Sequence, residues 1–269
     1  MKIATFNVNS INARIESLLP WLKKESPDVV MLQEIKTEFN NFPFFDLQSI
    51  GYDAKIIGQK SYNGVAIVSK HKINITQEGL PNFKDDNARY LEAVININGT
   101  DIRFASIYLP NGNPPYNNPD DTGKFTYKLQ WMEALYKHAS ELITQNIPTI
   151  LGGDYNVILT NADVYDPVAF KNNALCREEV RQRMKALEYL GFYDAYRALH
   201  PHDLGYTFWD YTGGAFINDL GMRIDYLMIS PQVVDVLQSC YVDKSPRQTP
   251  KPSDHTPLVI ELKDFPKCQ

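Results

Sequence analysis

The sequence predicts an α/β fold in which two packed β-sheets are flanked by helices. Three observations predict it: short β-rich runs recur from one end to the other, helical patterns are few, and no shift of composition marks a boundary within 269 residues. A single domain over 1–269 is therefore expected. A domain of this size buries roughly three quarters of the surface its unfolded chain would expose, so its core needs neither metal nor disulfide.

Strands are expected at residues 2–6, 28–32, 53–57, 64–69, 91–97, 101–108, 149–152, 206–211, 223–229 and 257–262, where β-formers cluster between turn residues. Asn98-Gly99 joins two of these runs, and because both residues tolerate positive φ the pair reads as a type I′ hairpin with antiparallel strands. A first helix places Ile11, Ile15, Leu18, Leu19 and Leu22 on one face; Pro20 inside it predicts a kink or an early end. Leu135, Ala139, Leu142 and Ile143 mark a second helix, and Val180, Met184, Leu187 and Leu190 a third. Segments 110–123 and 161–174 are too poor in apolar residues to be structured and are expected to be long loops, usually binding elements in a compact domain.

With 27 Lys+Arg against 32 Asp+Glu, a net charge of −5 and 43% hydrophobic residues, a disordered tail and a strongly basic DNA coat protein are excluded. Three cysteines, Cys176, Cys240 and Cys268, form no CxxC pair, which argues against a disulfide framework and a structural zinc site and fits a reducing cytosol. Met1-Lys2 leads directly into the mixed run Ile3-Ala4-Thr5-Phe6-Asn7, and no later apolar run approaches the roughly 20 residues a bilayer requires. A soluble cytoplasmic protein without membrane contact is expected.

Polar residues repeatedly end or interrupt the apolar strands. Phe6 is followed by Asn7-Val8-Asn9, Leu32 by Gln33-Glu34, Ile107 by Tyr108, and Leu151 by Gly152-Gly153-Asp154-Tyr155-Asn156. Asp225 lies in Arg223-Ile224-Asp225-Tyr226, and Ser253-Asp254-His255 precedes the last strand. Each alone reads as a turn former, a surface carboxylate or an internal ion pair; together, costly to bury unless paired, they are candidates for one convergent site.

These segments, together with Leu32-Gln33-Glu34-Ile35-Lys36, Gly58-Gln59-Lys60, Asn63-Gly64-Val65-Ala66-Ile67, Tyr108-Leu109-Pro110 and Lys251-Pro252-Ser253-Asp254-His255, occur in the order and spacing of the exonuclease III family of DNA-repair nucleases, which the chain resembles from Met1 to about Leu262. Gly-Asp-x-Asn and Ser-Asp-His alone mark the wider endonuclease/exonuclease/phosphatase superfamily, which leaves a phospholipid or inositol phosphate phosphoesterase as the alternative; the full set is more specific. The resemblance implies a four-layer α/β sandwich of two mostly antiparallel sheets with helices outside, similar to deoxyribonuclease I. It also implies Mg²⁺-dependent hydrolysis of DNA phosphodiesters, with Mn²⁺ able to substitute: 3′→5′ exonuclease action on duplex DNA, incision at abasic sites and cleaning of blocked 3′ ends. The implied partner is duplex DNA with abasic sites or recessed or blocked 3′ ends, and a monomer is expected because no assembly signal is evident.

A phosphodiester is an anion that must accept a nucleophile, so its hydrolysis needs positive charge on the non-bridging oxygens, a group that activates water and help for the leaving oxygen. By resemblance Glu34 ligates Mg²⁺, with Asn7 and Asp254 around the metal. Asp154 orients or deprotonates water, Asn156 and Asn7 hydrogen-bond the phosphate and position neighbours, His255 donates to the scissile phosphate with Asp225 fixing its tautomer, and Tyr108 contacts the phosphate or assists the leaving group. Asn9, Lys60 and Arg89 match substrate-binding positions. Phe208, Met222 and Ile224 match a small apolar pocket for an abasic sugar, although aromatic and aliphatic residues near strands are core by default. Of two basic groups, Lys171, Arg177, Arg181, Arg183 and Lys185 are diluted by Glu178 and Glu179, so Lys244, Arg247 and Lys251 are the expected phosphate track.

Overall fold

The structure, a computed structural model, describes residues 1–114 and 122–266. Residues 115–121 of the expected loop, and Cys268, lie outside the described residues. The elements run β1 (Lys2–Asn7), α1 (Ile11–Glu25), β2 (Val29–Gln33), α2 (Phe44–Gln48), β3 (Asp53–Ile57), β4 (Val65–Ser69), β5 (Ile73–Glu78), β6 (Tyr90–Ile97), β7 (Thr100–Tyr108) and α3 (Gly123–Thr144). They continue with β8 (Thr149–Asp154), α4 (Glu178–Tyr189), β9 (Tyr193–Asp194), α5 (Ala195–Leu199), β10 (Asp225–Ile229), α6 (Pro231–Val234), β11 (Leu237–Val242) and β12 (Leu258–Leu262).

Among the described residues these strands form two six-stranded sheets, ordered β11-β12-β1-β2-β4-β3 and β5-β6-β7-β8-β10-β9. Each sheet has one parallel pair, β1–β2 joined through α1 and β7–β8 joined through α3, because a parallel return needs a crossover. The other neighbours are antiparallel.

Alternation along the strands separates three apolar layers. Ile3, Met31 and Ile67 of one sheet meet Ala93, Phe104, Ile150 and Leu227 of the other between the sheets. Ala4, Leu32 and Val68 face outward onto Leu18, Trp21 and Leu22 of α1, and Ile107, Leu151 and Met228 onto Trp131, Leu135, Met184 and Leu187 of α3 and α4. The result is the expected four-layer sandwich.

The hairpin at Asn98-Gly99 is present: Ile97 pairs antiparallel with Thr100, and the two turn residues have φ of 54° and 87°. Pro20 does not end α1, which runs on to Glu25. Pro20 lacks an N–H for the carbonyl of Glu16, but both residues are exposed, so water can serve that oxygen. The strand expected at 206–211 reduces to isolated bridges from Phe208 to Met222 and His255, because Tyr206 and Trp209 turn into a small cluster of their own with Ala215. Strands β5, β9 and β11 were not expected; β5 and β9 are sheet edges and β5 and β11 are only partly buried, so their apolar pattern is weak.

Segment 161–174 is the expected long loop, with only a short 3-10 turn at Asn161–Asp163 and a bridge at Val164, and it is held both by Val164 and Phe170 in an apolar cluster and by a buried charge network. Arg223, fully buried, donates from Nε to Asp163 (2.7 Å) and from Nη1 to Asp194 (2.6 Å), and Arg197 adds a second bond to Asp163 at 2.6 Å. Asp163 in turn accepts from the backbone of Thr160, and Asp194 from that of Tyr196 at the start of α5. The network thus anchors the 160s loop and α5 directly beside Asp225. Burial pushes the Asp163 carboxyl up, but Arg223 and Arg197 outweigh it and hold it below the ordinary 3.8.

Asp163→Asn leaves Arg223 buried with a broken pair and should cost about 3–5 kcal/mol in urea denaturation at neutral pH. Since the folded carboxyl titrates below 3.8, its stabilisation is complete above that pH and is lost as pH falls through the lower folded value. Wild type should therefore lose stability below pH 3.8 more steeply than the variant, and parallel acid limbs for the two would refute this account.

Candidate active site

Strands β1, β2, β7 and β8 end at one edge of the sandwich, and β10 and β12, antiparallel to β8 and β1, begin there. Register completes the convergence: Asp154 lies opposite Tyr108 on one side and Asp225 on the other, and Asn7 lies opposite Gln33. Glu34 follows β2 in the left-handed region at φ 49°, an unfavourable conformation for a non-glycine residue that the surrounding structure imposes.

The amide of Asn7 bridges the two sheets, its Nδ2 donating to Glu34 Oε1 at 2.8 Å and to Asp154 Oδ2 at 2.9 Å, while its Oδ1 accepts from the Asn9 backbone. His255 makes a second bridge. Its Nδ1 lies 2.8 Å from Asp225 Oδ2, which also accepts from Thr207, and its Nε2 faces Asp154 Oδ2 at 3.7 Å. Asn156, at φ 49°, donates its backbone N–H to Asp154 Oδ1 and its side-chain amide to the carbonyl of Leu109, both at 2.9 Å. Arg89 stacks 4.7 Å from the Tyr108 ring centre and donates to the Tyr108 carbonyl.

Burial pushes the Asp154 carboxyl up, and although His255 opposes this, Asp225 and Glu34 reinforce it, so it titrates at about 7. Burial alone would lower His255; Asp225 and Asp154 outweigh it and raise the imidazolium to about 10. Burial raises Glu34 but the charge of Lys36 and the Asn7 amide hold it below 4.5. Tyr108, raised by burial and by Glu34 and Asp154, stays a neutral phenol.

One ligand atom each from Glu34, Asp154 and His255 lie within 4.8 Å of one another, a group able to hold a metal ion. The carboxylates of Glu34 and Asp154 suit a hard divalent cation, which would relieve their mutual repulsion, while His255, held as an imidazolium, stands beside them as a donor and not as a ligand. Asp254 stands outside this trio, its Oδ1 accepting from Asn9 Nδ2 at 2.9 Å. Asn9 also accepts from Lys36 Nζ, so Asn9 and Lys36 link Asp254 to Glu34. Phe208, Met222 and Ile224 belong to one cluster with Ile158, Val164 and Leu175; Ile224 is fully buried, whereas Phe208 and Met222 are partly open and Phe208 packs edge-on to His255 at 5.0 Å. Lys60 is exposed between β3 and β4.

Arg247 is no phosphate contact. It is buried, donating to the carbonyls of Ser253 and Trp209 and stacking on Tyr211 and Phe216, so it pins the 209–216 loop to Ser253. Lys244 pairs with Asp219, leaving Lys251 exposed. Sequence reading assigned no role to Lys36, Thr207, Ser253 or Lys128. Ser253 Oγ donates to the Asn7 carbonyl, and its neighbour Asp254 and the motif position of Lys36 were the available signals.

The chain belongs to the Endonuclease/Exonuclease/phosphatase family, whose model matches residues 4–255. Within it, the chain is 30% identical to an exodeoxyribonuclease of Bacillus subtilis over 97% of this chain and 98% of that one. Among solved structures it is similar to an AP endonuclease from Archaeoglobus fulgidus (38% identity, TM-score 0.90, 98% and 100% of the two chains). It is likewise similar to a 3′ phosphatase from Neisseria bound to a product DNA hairpin (36% identity, TM-score 0.91, 98% and 99% covered).

Asp225→Asn removes the charge that most raises His255, so the imidazole should titrate well below the wild-type value of about 10, toward 6.5. Imidazole NMR titration reads this directly. An unchanged midpoint would mean that Asp225 does not set the protonation of the ring.

Proposed function

We propose that the protein is a hydrolytic nuclease of the exonuclease III type acting on DNA phosphodiesters, with 3′→5′ exonuclease, abasic-site endonuclease and 3′-end-cleaning activity. The observation that carries this reading is the joint placement of Glu34, Asp154 and His255 within 4.8 Å at one sheet edge, with His255 backed by Asp225. Mg²⁺ is the proposed ion, replaceable by Mn²⁺, with Glu34 as its principal ligand and Asp254 and Asn7 around it. When bound it supplies positive charge to the phosphate oxygens.

The chain's own groups divide the remaining work. Asp154, whose carboxyl is pushed up by burial and then by Asp225 and Glu34, is suited to take a proton from the attacking water. Asn7 and the Asn156 backbone N–H hold that carboxylate in place through both of its oxygens. His255 remains an imidazolium and can donate from Nε2 to a phosphate oxygen while Asp225 holds Nδ1. Tyr108, neutral, can donate to the phosphate or leaving oxygen, and Arg89 fixes its ring from one face. The partly open Phe208 and Met222 above Ile224 offer an apolar seat for a sugar lacking its base. Asn9 and Lys60 join Arg89 as proposed contacts to duplex DNA with abasic sites or recessed or blocked 3′ ends. The protein is proposed to act as a monomer in the cytoplasm; among the described residues no helix is long and apolar enough to cross a membrane.

Incision should be measured side by side on duplexes carrying an abasic analogue, a 3′-phosphate or an unmodified recessed 3′ end. Cleavage should require a divalent cation, vanish with EDTA and weaken as salt rises. Asp154→Asn and His255→Ala should each lose about a hundredfold or more, the scale of a lost catalytic group. Cleavage by either variant within a few fold of wild type, or turnover on lipid phosphates alone, would overturn the reading.

A further inference from the structure

A buried lysine lies directly behind the site and has no role in the chemistry so far. Lys128, on α3, has no exposed surface, and its Nζ donates to the carbonyl of Asn156 at 2.6 Å and to that of Asn111 at 3.0 Å. Among the described residues no carboxylate lies within ion-pair distance of it; the acid it feels most is Asp154. A cation buried on two neutral carbonyls is costly, and such an arrangement is kept only where the surroundings over-determine it. The fold makes room for it deliberately: at Gly112, φ 84°, a Cβ would stand 2.6 Å from the lysine Cδ. Burial pushes its ammonium down to about 7 against the opposing pull of Asp154 and Cys176.

The two carbonyls belong to the two loops that leave β7 and β8. Those loops are already tied where Asn156 Nδ2 reaches the Leu109 carbonyl, where Asn111 Nδ2 reaches Asn156 Oδ1, and where the Leu109 N–H reaches the Asp154 carbonyl. Asn156 is held in the left-handed region, and its N–H is the donor to Asp154 Oδ1. The carbonyl that Lys128 holds and the N–H that donates to Asp154 stand on either side of the Asn156 Cα, so a change in the left-handed Asn156 backbone that shifts one also moves a hydrogen bond on the carboxylate that the proposed reaction uses. We infer that Lys128 is a positioning residue for hydrolysis: by holding the Asn156 and Asn111 carbonyls it locks the β7 and β8 loops together and so orients Asp154 through Asn156.

This inference rests on the nuclease reading, and the test separates the two. Full-length wild type, Lys128→Met, Lys128→Arg and Asn156→Ala, and the Lys128→Met/Asn156→Ala double variant, are assayed on an abasic-analogue duplex with saturating Mg²⁺, with thermal unfolding alongside. No cleavage by wild type would refute the nuclease reading itself. Given cleavage, Lys128→Met should lose about 10- to 100-fold in kcat with KM within about threefold, because an orienting contact acts on chemistry more than on binding. Lys128→Arg should recover most of the loss, and the loss in the double variant should fall well short of the product of the two single losses, because the lysine holds the Asn156 backbone carbonyl and the Asn156 side chain ties the same two loops. A kcat within about twofold of wild type, or losses that multiply in the double variant, would overturn the inference. If Lys128→Met does not fold, Lys128→Arg and Lys128→Gln carry the same comparison: Arg should outperform Gln in kcat at matched KM, and equal kcat values would overturn it.

Discussion

Two sheets whose facing sides are apolar over most of their area meet at one edge through charge, and the structure depends on how that edge is satisfied. The ties run between sheets: Asn7 to Asp154, His255 to Asp225, and, just below, Gln33 Nε2 to Ser106 Oγ, whose hydroxyl donates on to the Leu32 carbonyl. Buried polar groups of this kind are destabilising when partnerless, so each tie is also a constraint on how the sheets can shift relative to one another. Sliding either sheet along the other would break several at once. The apolar interior supplies adhesion, while this polar seam supplies register.

That division explains the electrostatics. Asp154 is raised first by burial and then by Asp225 and Glu34, and His255 is raised, against burial, by Asp225, Asp154 and Asp254. A carboxyl that would ordinarily be charged near neutrality and an imidazole that would ordinarily be mostly neutral are thereby pushed in the same direction, one toward accepting a proton and the other toward retaining one. The Arg223 network beside Asp225 keeps this from spreading: Asp163 and Asp194 are neutralised by arginines on their own side of β10, so the unbalanced acids are confined to the site.

Much of this was legible in the sequence. Apolar strands that end at Asn7, Glu34, Tyr108 and Asp154, or begin at Asp225, announce a shared edge because a polar residue at a strand end is costly unless it has company there. The hairpin was legible because Asn98-Gly99 is local chemistry. What could not be read was whatever depended on distant partners. Lys128 looks like any solvent-facing helical lysine until loops 17 and 28 residues away supply its carbonyls. Arg247 reads as a surface cation, yet its acceptors lie on Ser253 and, 38 residues away, Trp209. The polar anchor of the 161–174 loop is hidden for the same reason: the ion pair from Asp163 reaches Arg223, 60 residues on.

The position of β12 also bears on how the molecule comes into being. This last strand is inserted in the interior of its sheet between β11 and β1, pairing Glu261 with Lys2, and the Met1 amino group donates to the Leu262 carbonyl. Strand β1 therefore stays open on one side until β12 docks, and contacts of such sequence separation form slowly. His255 arrives only a few residues ahead of that strand. The acid–imidazole bridge and the closure of that side of the sheet thus depend on one and the same segment of chain.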